Sequence, residues 1–381
     1  MIYFNCAATS LQRPKEVIEQ VVYAMQHMGN AVRGADETAL LPARTLYMTR
    51  KKLAELFRIN DPGRIAFTTN ATESLNLAIK GLLKSGDHII YTQLDHNSIL
   101  RPFYEMEQNG VTATMIPCDY FGRISYDQLE KAIEKQTKMM MITHCSNVTG
   151  TLLDLEKIGA FCQKHKILLV VDAAQSAGVF PIDVTKQKID ILCFTGHKSL
   201  FGPQGTGGIY VREGILIKPL KTGGSGTQTF SKKQPGEMPD VLEAGTMNTH
   251  GIAGLLAGVT FVLETGVSVI HEKEQELMWL FYNGIKTIPN VIIYGDFSGV
   301  ERGSIVTFNI GACDSKSICD ELATVYGIVA RGGGHCAPQM HIAMHTVEQG
   351  AVRFSFSFFN TMEEVKQAIQ AVSKIAKDRE C

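Results

Sequence analysis

Seven short apolar runs recur along the first 211 residues: RIAFTT (64–69), HIIYT (88–92), TATMI (112–116), MMMIT (139–143), ILLVVD (167–172), DILCF (190–194) and GIYV (208–211). Stretches of helical period separate them. A run that is apolar at nearly every position suits a strand covered on both faces, and strands alternating with helices form a mainly parallel sheet. The expected class is α/β, with helices on both faces of the sheet and function gathered at the carboxyl ends of its strands.

The pattern changes after about residue 255. A long helical stretch leads to VIIY (291–294), IVTFNI (305–310), GIVA (327–330), AVRFSF (351–356) and a closing helix MEEVKQAIQAVSKIAK, which read as a smaller α+β unit. A chain of 381 residues exceeds what one growing core accommodates. The expected division is a large domain over 1–255 and a small one over 256–381, with residues 1–13 packing near the small one. No Pro/Ser linker separates the two, so close packing is expected.

Composition narrows the partners. Lys and Arg total 37 against 38 Asp and Glu. That balance offers no electrostatic attraction for nucleic acid or an anionic membrane. The start MIYFNCAATS has neither the basic residues nor the apolar stretch of a secretory signal, and a cytoplasmic location is expected. GIAGLLAGVTFVLETGVSVI (251–270) is interrupted by Glu264 and several glycines and reads as a buried helix, not a membrane span. Nine scattered cysteines, Cys6, Cys118, Cys145, Cys162, Cys193, Cys313, Cys319, Cys336 and Cys381, suggest free thiols in a reducing compartment.

Five strand ends carry polar residues. TTNATESL (68–75) passes from strand to helix, and the free N–H groups near Ala71, Thr72 and Glu73 suit a phosphate, although capping by Asn70 or Thr72 explains the same letters. YTQLDHNSI places His96 after one strand, where it reads equally as a loop histidine. SNVTGT places Asn147 after another. Asp172 ends ILLVVD, where a buried carboxylate needs a partner: a helix N-terminus or a cationic ring nitrogen would serve. Lys198 follows DILCF within FTGHKSLFGPQGTG, just before a glycine-rich turn. Together these ends offer a phosphate cradle, a flat ring, an amide, a carboxylate and an amine. That is the inventory for pyridoxal 5'-phosphate, whose aldehyde bonds a lysine and whose ring nitrogen needs an acid.

With these motifs, and with YFNCAATS at its start and VRFSFSFFNTMEEV near its end, the chain resembles the pyridoxal-phosphate enzymes of the class V aminotransferase group, and within it the cysteine desulfurase and selenocysteine lyase family. The resemblance implies the pyridoxal-phosphate transferase fold of type I. It makes Lys198 the residue bonded to the cofactor aldehyde, Asp172 the partner of the ring nitrogen and Gln175 the partner of the ring oxygen. His96 stacks on the ring and Asn147 lies beside ring and substrate. Ala71, Thr72 and Glu73 hold the phosphate, assisted by Thr195 and His197. Thr246, in EAGT (243–246), reaches the phosphate of a second subunit and so implies a homodimer.

Arg353 in AVRFSFSFFNT is a planar fork that fits an amino-acid carboxylate, or equally a structural ion pair; the resemblance assigns it to substrate. Ala7 and Ala8 belong to the same substrate site. Cys336 in RGGGHCAPQMH (331–341), in a glycine-rich loop expected to move, is by resemblance the nucleophile that takes sulfur or selenium. The implied reaction converts L-cysteine or L-selenocysteine to L-alanine and leaves a persulfide or selenopersulfide for an acceptor protein. The sequence departs from the family where Gly334 stands in place of a histidine. That removes an imidazole near the thiol and favours a selenol, which arrives already ionised. Cys6 also replaces a residue that is often polar.

Two other chemistries were weighed. Cys336, His341 and His345 would form part of a zinc site if the two histidines shared a helix face, but no fourth ligand lies nearby. GGSGTQTF (223–230) and the turn after Lys198 are rich in glycine, yet neither has the spacing of a nucleotide phosphate loop.

Overall fold

The computed structural model describes residues 1–29 and 37–379. The strands are β1 (Ile2–Tyr3), β2 (Ile65–Thr68), β3 (His88–Thr92), β4 (Thr112–Ile116), β5 (Thr137–Thr143), β6 (Leu168–Asp172), β7 (Ile191–Thr195), β8 (Gly207–Val211), β9 (Val291–Tyr294), β10 (Ile305–Ile310), β11 (Ile328–Val329) and β12 (Val352–Ser355). The α-helices are α1 (Lys15–His27), α2 (Glu37–Phe57), α3 (Ala71–Leu82), α4 (Asn97–Glu107), α5 (Gln128–Lys131), α6 (Leu155–His165), α7 (Thr249–Thr265), α8 (Val267–Ile285), α9 (Ser315–Tyr326), α10 (Pro338–Ala343) and α11 (Met362–Asp378).

Seven strands form the large sheet in the order β2-β8-β7-β6-β5-β3-β4. All pairs are parallel except those of β8, which runs antiparallel to β2 and β7. The exception follows from chain length: the segment between β7 and β8 is too short for a helical crossover, so the chain doubles back. The expected mainly parallel α/β sheet is therefore present, with helices on both faces.

Alternation along β5 shows how one run serves two cores. Met140 and Ile142 pack on one face with Leu53 and Phe57 of α2, Ile158 of α6 and Leu255 of α7. Met139 and Met141 point to the other, with Leu75 and Ile79 of α3 and Phe103 of α4. All four β5 side chains are fully buried.

A three-stranded antiparallel sheet, β12-β10-β9, forms a third core with α8, α9 and α11. The N-terminus joins it. Strand β1 pairs with β11, and the carbonyl of Phe4 accepts from the N–H of Ser355 at 2.8 Å. Helices α7 and α8 meet at Gly266 and bend by 83°; no single helix among the described residues is long and apolar enough to cross a membrane.

The thiols are mostly as expected. Among the described residues, Cys6, Cys118, Cys145, Cys162, Cys193, Cys319 and Cys336 are free. Cys313 departs from that expectation and is disulfide-bonded. Cys381 lies outside the described residues.

Candidate active site

Strands β2, β3, β5, β6 and β7 all end at one edge of the sheet, and a cavity of about 90 Å³ opens there. Its walls include Ala71, Thr72, His96, Asn147, Asp172, Gln175, Thr195, His197 and Lys198. Glu73, Thr246, Ala7, Ala8, Arg353 and Cys336 are not among its lining residues.

The lysine is fixed from both sides of the chain. The carbonyl of Lys198 accepts from Ser10 Oγ at 2.9 Å and from Phe201 N at 2.9 Å, and that of His197 accepts from Ser10 N at 2.9 Å. The turn that follows lies against α7, where a Cβ on Gly258 would collide with the carbonyl of Leu200. This close approach explains the glycine there. Burial pushes the Lys198 amine down to about 8, although Asp172 opposes the shift and Arg353 and Arg331 add to it. The amine is therefore readily deprotonated for nucleophilic work.

Asp172 is the last residue of β6 and is 4% exposed. One oxygen accepts from Ala174 N at 2.9 Å. Burial raises its pKa, partly offset by that hydrogen bond and by Lys198. No cation is within ion-pair distance of it among the described residues. Asp172 thus caps the following turn and still lacks a charged partner.

His96 is the N-cap of α4: its Nδ1 accepts from Ser98 N at 3.1 Å, which leaves the proton on Nε2. Burial, then the charge of Lys198, lowers its pKa to about 4, so the ring is neutral and able to lie flat against another ring. His197 is lowered to about 4 by the same causes, with its Nδ1 3.0 Å from Thr9 Oγ1.

At the start of α3, Asn70 caps the helix by accepting from Glu73 N at 3.0 Å. The N–H expected of Glu73 for a phosphate is thus occupied here by the Asn70 cap. The Glu73 carboxylate turns back to Thr69 N and Oγ1, each at 2.7 Å, and to Lys221 at 2.5 Å. The N–H groups of Ala71 and Thr72, which line the cavity, have no acceptor within the helix.

Other residues bind the walls to one another. Gln175 Nε2 donates to the carbonyl of Ala7 at 3.0 Å, Ala7 N donates to Ser355 Oγ at 2.9 Å, and Ala8 N to the carbonyl of Asn5 at 3.0 Å. Thr195 Oγ1 reaches the carbonyl of Thr206 only at 3.5 Å. Thr246 is exposed, outside the cavity of its own chain.

Arg353, on β12, is wholly buried and donates to the carbonyl of Asn147 at 2.9 Å and to Asn5 Oδ1 at 3.2 Å. Its Nε has no partner, and no carboxylate forms an ion pair with it among the described residues. Burial, then Arg331, lowers its pKa to about 9. A structural ion pair is thereby removed as its explanation.

Cys336 is exposed and lies in a loop held to the cavity wall by two hydrogen bonds. Its carbonyl accepts from Asn97 N at 2.7 Å, and that of His335 accepts from Asn147 Nδ2 at 2.8 Å. His335 and Cys336 both adopt left-handed backbone, with φ of 49° and 58°. Arg331 Nη2 lies 3.9 Å from Cys336 Sγ. Sequence reasoning missed this guanidinium; its signal was an arginine beginning the glycine-rich loop.

The zinc geometry fails. Helix α10 ends at Ala343, so His341 and His345 share no helix face, and His341 points inward to Thr346 Oγ1 at 2.8 Å and His335 Nδ1 at 3.4 Å. No metal-binding group of three or more such ligands occurs among the described residues.

An unpartnered buried atom tests the fit of a cofactor. Asn147 Oδ1, in the cavity wall, has no partner among the described residues. With an acid at one end, a helix N-terminus at another and an amine between, the donor set matches pyridoxal phosphate.

The comparisons agree with this geometry. A probable cysteine desulfurase of Methanothermobacter thermautotrophicus is 30% identical, over 98% of this chain and 94% of its own. The apo structure of a cysteine desulfurase from Thermococcus onnurineus superposes with a TM-score of 0.93 at 31% identity, covering 99% of this chain and 95% of the other. A crystal structure of a cysteine desulfurase from Escherichia coli gives 0.88 at 27% identity, over 99% and 94%. The family model for class V aminotransferases matches residues 2–368, and the chain belongs to that family.

Proposed function

We propose that this chain is a pyridoxal-phosphate-dependent cysteine desulfurase, which takes sulfur from L-cysteine and yields L-alanine and a persulfide on Cys336. One observation carries the reading: a buried guanidinium without a carboxylate partner, Arg353, bonds to the loop of a cavity-lining asparagine whose amide holds the thiol loop. That link supports a reading in which Arg353 serves substrate carboxylate and Cys336 acts as nucleophile beside the Lys198 cavity. The relatives named cysteine desulfurase support it.

Pyridoxal phosphate supplies the aldehyde that condenses with amines and the ring that makes an amino acid's α-proton acidic. Lys198 Nζ would hold that aldehyde and, once released, would take the α-proton of the bound amino acid. Asp172 would pair with the ring nitrogen and His96 would stack on the ring. Ala71 and Thr72 N–H groups, with Thr195 and His197, would hold the phosphate. Arg353 grips the carboxylate. Cys336 Sγ, as thiolate, forms a bond to substrate sulfur as the Cβ–S bond breaks; the electron pair of that bond stays with carbon, which takes up one proton at Cβ and regains one at Cα from Lys198 to leave as alanine. Thr246 of a second copy completes the phosphate site in a cytoplasmic homodimer, and an acceptor protein removes the sulfur.

A second reading, selenocysteine lyase, is favoured by one feature. A Cβ at Gly334 would meet nothing, so room for a histidine exists, while the His335 ring is directed to Arg331 O and His341. Arg331 is then the charged group beside the thiol, and a substrate already ionised suits a site poor in bases. Alanine formation from cysteine and selenocysteine, measured side by side, decides between them. Cysteine turnover that survives Cys336→Ala would remove the persulfide route.

A further inference from the structure

Asp95 is completely buried, next to His96, and takes part in none of the steps above. Its Oδ2 accepts from Thr92 N at 2.7 Å and its Oδ1 from Thr143 N at 2.6 Å. The β3–β5 ladder is registered from His88↔Thr137 to Ile90↔Met140. Asp95 therefore bridges the two strand ends beyond the registered pairs, where they open to form the cavity. Thr143 is also the register partner of Asp172 on β6, so Asp95, Thr143 and Asp172 lie in sequence across three strands.

We propose that Asp95 is a positioning residue, which by bridging the ends of β3 and β5 sets the His96 ring over the cofactor site and the spacing of that ring from Asp172. This rests on the pyridoxal-phosphate reading above. The Thr143 hydroxyl also reaches this carboxyl, and the Thr92 hydroxyl is buried with no partner among the described residues. An acid with two oxygens satisfies both N–H groups and has capacity left for the hydroxyls, either accepting from them or giving one its proton. No other side chain of this size does both. Burial pushes the Asp95 carboxyl up, to about 7, against the pull of its two N–H donors and the Thr143 hydroxyl, with the charge of Asp172 adding to the rise. An asparagine keeps the shape but turns an NH₂ against a backbone N–H.

The test compares wild type, Asp95→Asn, His96→Ala and the double variant, each loaded with pyridoxal phosphate. In Asp95→Asn, kcat on cysteine is expected to fall tenfold or more and the cofactor dissociation constant to rise about as much. KM should stay within twofold, because the Arg353 grip is unchanged. The visible circular dichroism of the bound cofactor should change, reporting a tilted ring, and the Asp95→Asn loss should largely disappear in the His96→Ala background. Wild-type circular dichroism, affinity and kcat in folded Asp95→Asn would overturn the proposal even if melting temperature fell, and so would full additivity with His96→Ala. Should Asp95→Asn not fold, Asp95→Glu is read by the same measures; failure of both to fold would assign Asp95 to folding alone and overturn it. If wild type itself shows no cofactor band, the proposed function fails instead.

Discussion

Arg302 and Arg353 are both buried guanidiniums, and their surroundings separate their tasks. Arg302 donates to the carbonyls of Asp296 at 2.6 Å, Thr149 at 2.6 Å and Ile305 at 3.0 Å, and lies 3.4 Å from the centre of the Phe297 ring. It is a tie between loops. Arg353 has fewer acceptors and stands by the thiol loop. Replacing Arg353 with Lys keeps the charge but loses the planar fork, so kcat/KM for cysteine should fall about 100-fold, while the visible cofactor band remains; steady-state kinetics on the loaded variant checks this. Glu274 offers a test by pH. Burial raises its pKa to about 8, and its one protein donor is Phe358 N at 3.1 Å. A carboxyl raised in the folded state binds more protons there than when unfolded, so it costs stability as pH rises from about 4.5 to about 8. Glu274→Gln removes that cost. Its melting temperature relative to wild type should climb by a few degrees between pH 5 and pH 9, and a constant difference would contradict the assignment.

At the scale of elements, the thiol loop is a pinned structure with one open position. His335 Nε2 donates to Arg331 O at 3.1 Å, and His335 Nδ1 accepts from His341. Burial lowers both imidazoles, so the chain of rings is neutral. Gly334 is exposed with free space beside it. Gly334→His should leave the melting temperature within about a degree and raise cysteine turnover relative to selenocysteine, measured as alanine released from each. The strands around this loop were legible because burial on both faces leaves runs such as ILLVVD unmistakable, and the site residues because they stand at the ends of those runs. Asn70 was harder to place. Capping and phosphate binding draw on the same N–H groups, and letters do not show which are taken. Arg331 and Asp95 were overlooked because their partners, Cys336 on one side and backbone N–H groups of two strands on the other, come together only in the fold.

For the whole molecule, several large apolar side chains lie on the exposed surface. Ile18, Val22 and Met25 of α1 and Tyr47 of α2 are exposed, and Phe230 stands fully in solvent within the long irregular segment that ends at Thr246. Sedimentation equilibrium should give about 84 kDa, twice 41.9 kDa. If Thr246 serves the neighbouring site, mixing Lys198→Ala with Thr246→Val subunits should regain part of the activity, because one site in each mixed dimer then keeps both residues. The β7–β8 reversal and the α7–α8 bend were not legible, since both depend on how short a connection is relative to the elements it joins. The central claim is a covalent one, and borohydride reduction of the pyridoxal-phosphate-loaded protein followed by peptide mass spectrometry addresses it directly. The account predicts a phosphopyridoxyl adduct on the peptide containing Lys198; an adduct on a different lysine, or none, would contradict it.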